Sequence, residues 1–419
     1  MKIKKYLDLI GVVCISIVVT ILLILVANGI ASWYLQKYPD FLMSEADRVN
    51  ENTRIIRENM ITPEKSMEWY DLKASDDLKE MWSEFYGAGV VFESYTHYRH
   101  QAYLGKYYGT TEAGYRLSRD QGPWPPDSKN FNIFFFGGST SFGVGPYWAT
   151  IASYLQDEMN LSKSFDRHVY VYNFGRSGYT SSQEQILFHR LVSDGMRPNM
   201  VIFLDGLNDF CFYDGQPSSW QMLAGPFNQA NKDYSERLAG NGIITEWRYL
   251  KNFFISMPFT RYISSLIDRT RSKDIPTYIN QSNSAGTKEI PIDDKKLANV
   301  LQRYTNNMLQ VKAVSESYGI IAYFVWQPIP TYKYDTSHHL FNPSRLGCHI
   351  NSKYGYPMVD KSNIKKSLGN SFINASNMQE NIKEPIYIDA FHYTAPMSKN
   401  IAKYISREIL DQMPAKFIR

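Results

Sequence analysis

The stretch "NIFFFGGSTSFGVG", from Asn132 to Gly145, decides the fold. It begins as an apolar run typical of a buried strand and breaks into two glycines, a serine and a threonine, which are residues that can open a helix. A glycine-rich turn between a strand and a helix either cradles a phosphate or presents a nucleophile, which here would be Ser139. The residues around the turn distinguish these two uses.

The phosphate interpretation fails on detail. A G-x-x-x-x-G-K-[ST] loop beginning at Gly138 would need lysine and a hydroxyl residue where Val144 and Gly145 stand. A dinucleotide-binding G-x-G-x-x-G would need glycine at positions 139 and 142, which are serine and phenylalanine. The lipase-type elbow G-x-S-x-G fails as well, because Ser141 replaces its second glycine. Taken by itself, the turn is either an ordinary helix N-cap or a nucleophile at a helix N-terminus.

After this turn, apolar runs alternate with amphipathic segments. Continuously apolar strands separated by helices predict a parallel sheet that is covered on both faces. The predicted strands after the first are His168–Gly175, Met200–Gly206 and Ile320–Pro328, and the predicted helices are Thr150–Asn160, Ser182–Gly195 and Asp294–Gly319, followed by "IYIDAFHYT" and a closing helix.

The apolar N-terminal run and a proline-rich segment predict how the chain divides into domains. Residues 1–34 form a cytoplasmic N-terminus and anchor, 35–129 a stalk and accessory region, and 130–413 the main domain. The boundary lies after "GPWPPDS", which can continue neither a helix nor a central strand. Within the accessory region, a helix is predicted over Pro63–Gly89 and a strand after it. Two long insertions interrupt the main domain, at about 210–292 and 329–384.

In an open α/β sheet, ligands bind beyond the carboxyl ends of the strands. A serine nucleophile needs a base, a group that orients the base, and donors for the oxyanion. At these strand ends, Asp389-x-x-His392 supplies the orienting carboxylate and the base. Gly178 can bring a backbone amide close, and Asn208 offers a side-chain NH2 group. With the Ser139 amide, these make three donors for an oxyanion hole.

These four stretches, in this order, resemble the SGNH (GDSL-like) hydrolase superfamily. Its first block is matched by Gly138-Ser139 in "GGST", its second by Gly178, its third by "GLND" from Gly206 to Asp209, and its last by "DAFH" from Asp389 to His392. The resemblance covers about residues 130–413. It implies a flavodoxin-like three-layer α/β/α fold and ester hydrolysis or acyl transfer without a metal or another cofactor.

Two residues beside the blocks receive other roles. Asp209 is interpreted as a structural residue that braces the loops. Arg176, next to the glycine turn, either contacts an anionic group of the substrate or faces solvent, and solvent is the favoured interpretation.

The N-terminus predicts a membrane anchor. The run from Leu9 to Ala27 carries no charge, and a helix of this length nearly spans the hydrocarbon core of about 30 Å. Trp33 and Tyr34 follow where interfacial aromatics are expected, and the lysines that precede the run predict a cytoplasmic N-terminus. The catalytic domain is then extracytoplasmic. A cleaved signal peptide is the alternative, although the run exceeds a usual signal core.

Composition limits the partners. The net charge is only +4 over 419 residues, which is not the excess of positive charge typical of proteins that bind polyanions. Nucleic acid is therefore not expected as a partner. Cys14 lies in the predicted span, which leaves Cys211 and Cys348 outside the cytoplasm, where they form either a disulfide or two buried thiols. No Cys/His cluster at metal-ligand spacing is present in the sequence.

The leading functional hypothesis is an envelope esterase that acts on an acylated carbohydrate or lipid. The second is an O-acyltransferase that passes an acyl group to an envelope polysaccharide, with a membrane acyltransferase as partner. The third is a catalytically silent binding module, which the intact set of Ser139, Asp389 and His392 argues against.

Overall fold

A computed structural model of the protein describes residues 2–38, 62–87, 89–215, 257–271, 293–340 and 347–413. The chain divides into two compact units. The described part of the first unit comprises residues 2–38 and 257–271, and the second unit holds the other described residues. The predicted domain boundaries at residues 35 and 130 stay predictions.

The elements of the described residues are numbered in chain order. The helices are α1 (Lys2–Lys37), α2 (Pro63–Tyr70), α3 (Ser75–Gly87), α4 (Ser139–Phe142), α5 (Ile151–Leu161), α6 (Ser181–Ser193), α7 (Leu207–Cys211), α8 (Pro258–Arg271), α9 (Asp294–Ser317), α10 (Ser352–Val359), α11 (Ile364–Leu368) and α12 (Ala395–Gln412). The strands are β1 (Val90–Glu93), β2 (His97–His100), β3 (Tyr103–Leu104), β4 (Gly109–Thr110), β5 (Phe131–Gly137), β6 (Val169–Asn173), β7 (Met200–Asp205), β8 (Ile321–Trp326) and β9 (Phe372–Asn374).

Helix α1 carries the apolar run. The part of it from Ile10 to Lys37 is long and apolar enough to cross a membrane, and its most apolar window has a mean hydropathy of 3.2. Length and composition alone fit both an anchor and a signal sequence. The predicted N-terminal apolar helix is therefore confirmed, and its topology remains a proposal.

The main sheet has five parallel strands in the order β6-β5-β7-β8-β9. Numbered along the sheet's own sequence, this is the order 2-1-3-4-5 of flavodoxin-like folds. The order reverses between β5 and β7, where Phe135 is aligned with Ile202. The predicted α/β fold is confirmed, and its switch point lies where β5 and β7 end.

Alternate side chains of the strands enter two separate cores, as the period of two requires. Phe134 and Phe136 pack with α6 and α9 on one face, and Ile133 and Phe135 pack with α5 and α12 on the other. All four side chains have an exposed fraction of 0%. The sheet is thus covered on both faces, and only its edges and strand ends are free for ligands.

Three segments differ from the predictions. The helix predicted over Pro63–Gly89 is two helices, because α2 ends at a left-handed residue, Asp71, with φ of 53°. The fifth strand, β9, lies inside the segment predicted as the second insertion. The chain at "IYIDAFHYT" forms a turn closed by an isolated bridge between Tyr387 and Tyr393 rather than a strand.

Candidate active site

Ser139 lies directly after β5, at the first position of α4. Gly138 is the N-cap, and its carbonyl accepts from the amides of Ser141 and Phe142. The amide of a first helical residue has no acceptor within its helix, so the Ser139 N–H is available to a ligand. The residue is half-buried at the switch point of the sheet.

The blocks that contain Gly178 and Asn208 meet the turn at Gly138. The Asn208 side chain donates to the Tyr179 carbonyl over 2.7 Å. A Cβ at Gly138 would overlap Asn208 Nδ2 and lie 3.3 Å from the Tyr179 carbonyl. Gly178 has φ of 71°, a conformation that favours glycine. One amide hydrogen of Asn208 is thus used to fix the side chain, and the second remains for a ligand.

The interpretation of Arg176 as a solvent-facing residue is wrong. Its side chain has an exposed fraction of 1% and pairs with the carboxylate of Glu93. Glu93 also accepts from Thr96 Oγ1 at 2.5 Å, and Arg176 donates to the Tyr179 hydroxyl at 2.9 Å. The pair therefore clamps the turn that carries Gly178 to the β1–β2 hairpin. Sequence reasoning missed this contact because Glu93 is remote along the chain.

Arg116 is a second buried cation that the sequence analysis missed. Its guanidinium donates to the Phe142 carbonyl at 2.8 Å and to the carbonyls of Gly143 and Gly145. Burial lowers the pKa of Arg116 to about 10. The side chain thus holds the loop that follows α4, and with it the position of the glycine turn.

Asp389 and His392 lie in one tight turn. His392 Nδ1 and Asp389 Oδ2 are 2.7 Å apart, and Asp389 Oδ1 accepts from the backbone amides of Phe391 and His392 at 3.0 and 2.8 Å. The Ile388 amide closes the turn by donating to the His392 carbonyl at 2.8 Å. The carboxylate can therefore fix the tautomer with a proton on Nδ1, leaving Nε2 as the basic nitrogen.

Gln327, which follows β8, connects this turn to the serine turn. Its Oε1 accepts from Thr140 Oγ1 at 2.7 Å and from the Tyr393 hydroxyl at 3.4 Å. Thr140 is the neighbour of Ser139, and Tyr393 is the neighbour of His392. No hydrogen bond joins Ser139 Oγ to His392 within the described ranges. The turn that carries Ser139 and the turn that carries His392 are thus both hydrogen-bonded to Gln327, whereas Ser139 and His392 are not hydrogen-bonded to each other.

A disulfide joins Cys211, at the end of α7, to Cys348, with a Cα–Cα distance of 4.7 Å. This settles the open choice in favour of the bridge. Cys211 lies three residues after Asn208, and Cys348 precedes His349, whose ring centroid is 4.4 Å from that of Phe391. Burial, together with the nearby His392, lowers the pKa of His349 to about 4. A neutral imidazole is thus packed beside the Asp389–His392 turn.

The ligand atoms of Cys211, Cys348 and His349 lie within 4.8 Å of one another. Both sulfurs belong to the disulfide and offer no thiolate, so this group does not hold a metal in its oxidised form.

Three buried acidic side chains lie on the elements around the Asn208 block, namely α6, the end of β7 and α7. Glu184, Asp205 and Asp209 have exposed fractions of 0%, 4% and 1%. Asp209 accepts from Ser181 Oγ at 2.6 Å, which fits its predicted role as a brace between loops. Burial raises the pKa of all three carboxyls, and Asp205 raises that of Glu184 further. Protons are therefore retained in this cluster at pH values where exposed carboxyls have lost them.

We expect the stability of the protein to depend on pH through Glu184. Its pKa is raised in the folded state, so the unfolded chain releases its proton first, and stability falls as pH rises above the ordinary glutamate value. Glu184→Gln removes this pH-dependent contribution to the stability. The variant should therefore gain about 1.4 kcal/mol over the wild type for each pH unit between that value and the folded pKa.

Thermal unfolding of the full chain at pH 4.5 and pH 7.5 measures this difference. The matched control is Glu316→Gln, because the Glu316 side chain is exposed, at 66%. An equal pH slope in wild type and Glu184→Gln would contradict a raised pKa of Glu184 in the folded state.

A family model described as GDSL-like Lipase/Acylhydrolase matches residues 133–405. The match spans well over half of the chain and includes all four blocks, which confirms the resemblance found in the sequence. No curated protein matches the chain.

Several solved structures are similar to this chain at low sequence identity. A lipolytic protein of the G-D-S-L family from Desulfitobacterium hafniense is 14% identical, with coverage of 67% of this chain and 99% of that chain and a TM-score of 0.31. The carbohydrate acetylesterase Est24 from Sinorhizobium meliloti is 11% identical, with coverage of 67% and 98% and a TM-score of 0.34. The acetylxylan esterase Axe2 from Geobacillus stearothermophilus is 14% identical, with coverage of 66% and 93% and a TM-score of 0.33.

Proposed function

The chain belongs to the GDSL-like lipase/acylhydrolase family and is an ester hydrolase, and from this premise we propose that it is a membrane-anchored, extracytoplasmic serine esterase. In this proposal it removes an acyl group, such as acetyl, from an envelope glycan or lipid through an acyl-enzyme on Ser139. The observation that carries the proposal is the position of Ser139 at the switch point of the sheet, with a histidine–carboxylate pair on a neighbouring loop.

In the proposed reaction, Ser139 Oγ attacks the ester carbonyl while His392 Nε2 takes the hydroxyl proton. Asp389 keeps the other imidazole proton on Nδ1, 2.7 Å away, and stabilises the imidazolium. His392 then gives the proton to the leaving alcohol. Water deprotonated by the same imidazole attacks the acyl-enzyme and releases the acid, which restores the serine. The hydrogen bond between serine and histidine is expected to form in the substrate complex, since such bonds are often long in free enzymes.

Three donors are proposed to stabilise the oxyanion. They are the backbone amides of Ser139 and Gly178 and the free amide hydrogen of Asn208. The arrangement is supported by the contact between Asn208 and Gly138 and by the bond from Asn208 to the Tyr179 carbonyl. Donors that are held in place before the reaction would need no reorganisation as charge develops.

Asn208→Ala should lower kcat by about 100- to 1,000-fold with a smaller change in KM, because the lost donor acts on the transition state. The measurement is steady-state hydrolysis of a small activated acetyl ester by the full chain. The matched control is Asn199→Ala at the opposite end of β7, where the side chain accepts from the Asn132 amide at 2.8 Å. An Asn208→Ala variant that keeps its kcat would exclude Asn208 from the oxyanion hole.

The membrane location rests on α1 and on the lysines before its apolar run. These features support a cytoplasmic N-terminus and a catalytic domain on the other side of the membrane. The substrates within reach would then be acylated polysaccharides, lipids or lipid-linked precursors of the envelope.

Hydrolysis and acyl transfer share the acyl-enzyme and differ in whether water or a hydroxyl group receives the acyl group. We expect the full chain to release free acid from an activated acetyl ester, with or without a deacetylated glycan present. Products are measured by mass spectrometry with and without that acceptor. An acetylated glycan that forms only with active enzyme, at the expense of free acetate, would overturn hydrolysis in favour of the transferase.

A further inference from the structure

Helix α8 packs against the outer end of α1. The Phe259 amide donates to Asn28 Oδ1 at 3.1 Å, and the rings of Tyr34 and Tyr262 meet edge to face with centroids 5.3 Å apart. On the same side of α1, Ala31 and Leu35 are buried, whereas the apolar run before them is exposed. A segment that follows Asn208 by some 50 positions in the chain is thus in contact with the membrane-spanning candidate.

The contact lies at a defined depth. It begins at Asn28, immediately after the apolar run ends at Ala27, and extends to Tyr34. From Asn28 to Tyr34 the helix rises about 9 Å, which is slightly more than the roughly 5–8 Å of the headgroup region of one leaflet. Trp33 and Lys37 lie at the same level, with Lys37 Nζ 5.1 Å from the Trp33 ring centroid. These are residue types that favour the membrane–water interface.

Helix α8 keeps part of its apolar side uncovered. Phe259 and Leu266, seven residues apart and thus on one face, have exposed fractions of 43% and 38%. Arg261, about 140° around the helix from Leu266 at 100° per residue, is exposed on the polar side. On α1, Ile30 and Trp33 are also exposed, at 63% and 59%. Both helices therefore leave apolar side chains exposed in the segments that meet.

We propose that α8 is an interfacial helix that binds the lipid headgroup region of the bilayer crossed by α1. Burial of Phe259 and Leu266 among the upper acyl carbons removes apolar area from water, and Arg261 meets anionic headgroups. The inference rests on the proposed membrane anchoring. Its consequence is that the insertion after the Asn208 block is attached to the bilayer surface near its middle.

The test uses the full chain in lipid nanodiscs that contain phosphatidylglycerol. In a Cys14→Ser background, Leu266→Cys, Arg261→Cys and Leu23→Cys are each labelled with an environment-sensitive fluorophore. Quenching is measured with spin-labelled lipids and with aqueous iodide. Labelling of Ser139 by a fluorophosphonate verifies that each variant is folded.

We expect the probe at position 266 to be quenched by the spin-labelled lipid at least twofold more strongly than the probe at position 261, and to be protected from iodide. The probe at position 23 reports on the anchor. Suppose that lipid quenches the probe at position 23, whereas the probes at 261 and 266 are quenched equally by lipid and are both accessible to iodide. This result would overturn the interfacial helix and leave the anchor intact. Absence of lipid quenching at position 23 would overturn the anchor and, with it, this inference.

Discussion

Ser139→Ala is expected to lower the hydrolysis of an activated acetyl ester by at least about 10,000-fold and to abolish covalent labelling by a fluorophosphonate. The loss follows because no other group can form the acyl-enzyme, and only the oxyanion donors and binding contacts would remain. Turnover and intact-mass labelling of the full chain in detergent measure both effects.

Ser177→Ala is the matched control. Ser177 is half-buried beside Gly178, with its Oγ 3.3 Å from His100 Nε2, and it has no part in the proposed reaction. This variant should keep both labelling and turnover. If Ser139→Ala were still labelled, or if Ser177→Ala lost the label, the assignment of the nucleophile would be wrong.

Arg176→Met should destabilise the protein by about 3–5 kcal/mol, since it leaves the Glu93 carboxylate buried without its main partner. Burial opposes ionisation of Glu93, but the Arg176 guanidinium more than offsets it and lowers the pKa of that carboxyl. A depressed carboxyl pKa stabilises the fold above the ordinary glutamate value, and this stabilisation is lost as pH falls through the folded pKa. The variant should therefore differ most from wild type near neutral pH.

Thermal unfolding of the full chain measures the effect, with Arg407→Met as control, because the Arg407 side chain is exposed. The double variant Arg176→Met with Glu93→Gln should recover part of the lost stability, since no buried charge then lacks a partner. Equal unfolding temperatures for Arg176→Met and Arg407→Met would contradict the structural role of the pair.

The sequence predicted the central sheet well because its first four strands are apolar runs that end at glycine or proline signals. The fifth strand was missed, since Phe372–Asn374 is too short to show a period and lies in a long irregular segment. The break between α2 and α3 was missed because the left-handed conformation of Asp71 has no clear signature in sequence. In each case the structure depends on contacts that local patterns do not encode.

The same limit applies to the site. The Asp389–His392 pair can be predicted from spacing alone, because two residues that are three positions apart in one turn have their side chains close together. The partners of Gln327, Arg116 and Arg176 come from distant segments, and a single sequence does not connect them. A lone arginine beside a glycine turn is compatible with solvent, substrate or a buried acid, and only its surroundings in the fold select the acid.

The two buried arginines bear on how the protein can be truncated. A proline-rich segment precedes residue 130 and predicts a domain boundary there. A fragment that begins at residue 130 would lack Glu93 and the Arg116 side chain. Such a fragment would expose Arg176 without its carboxylate and free the carbonyls around Gly143. The smallest autonomous esterase therefore has to begin upstream of the β1–β2 hairpin, and a shorter version would lose activity through misfolding rather than through any missing catalytic group.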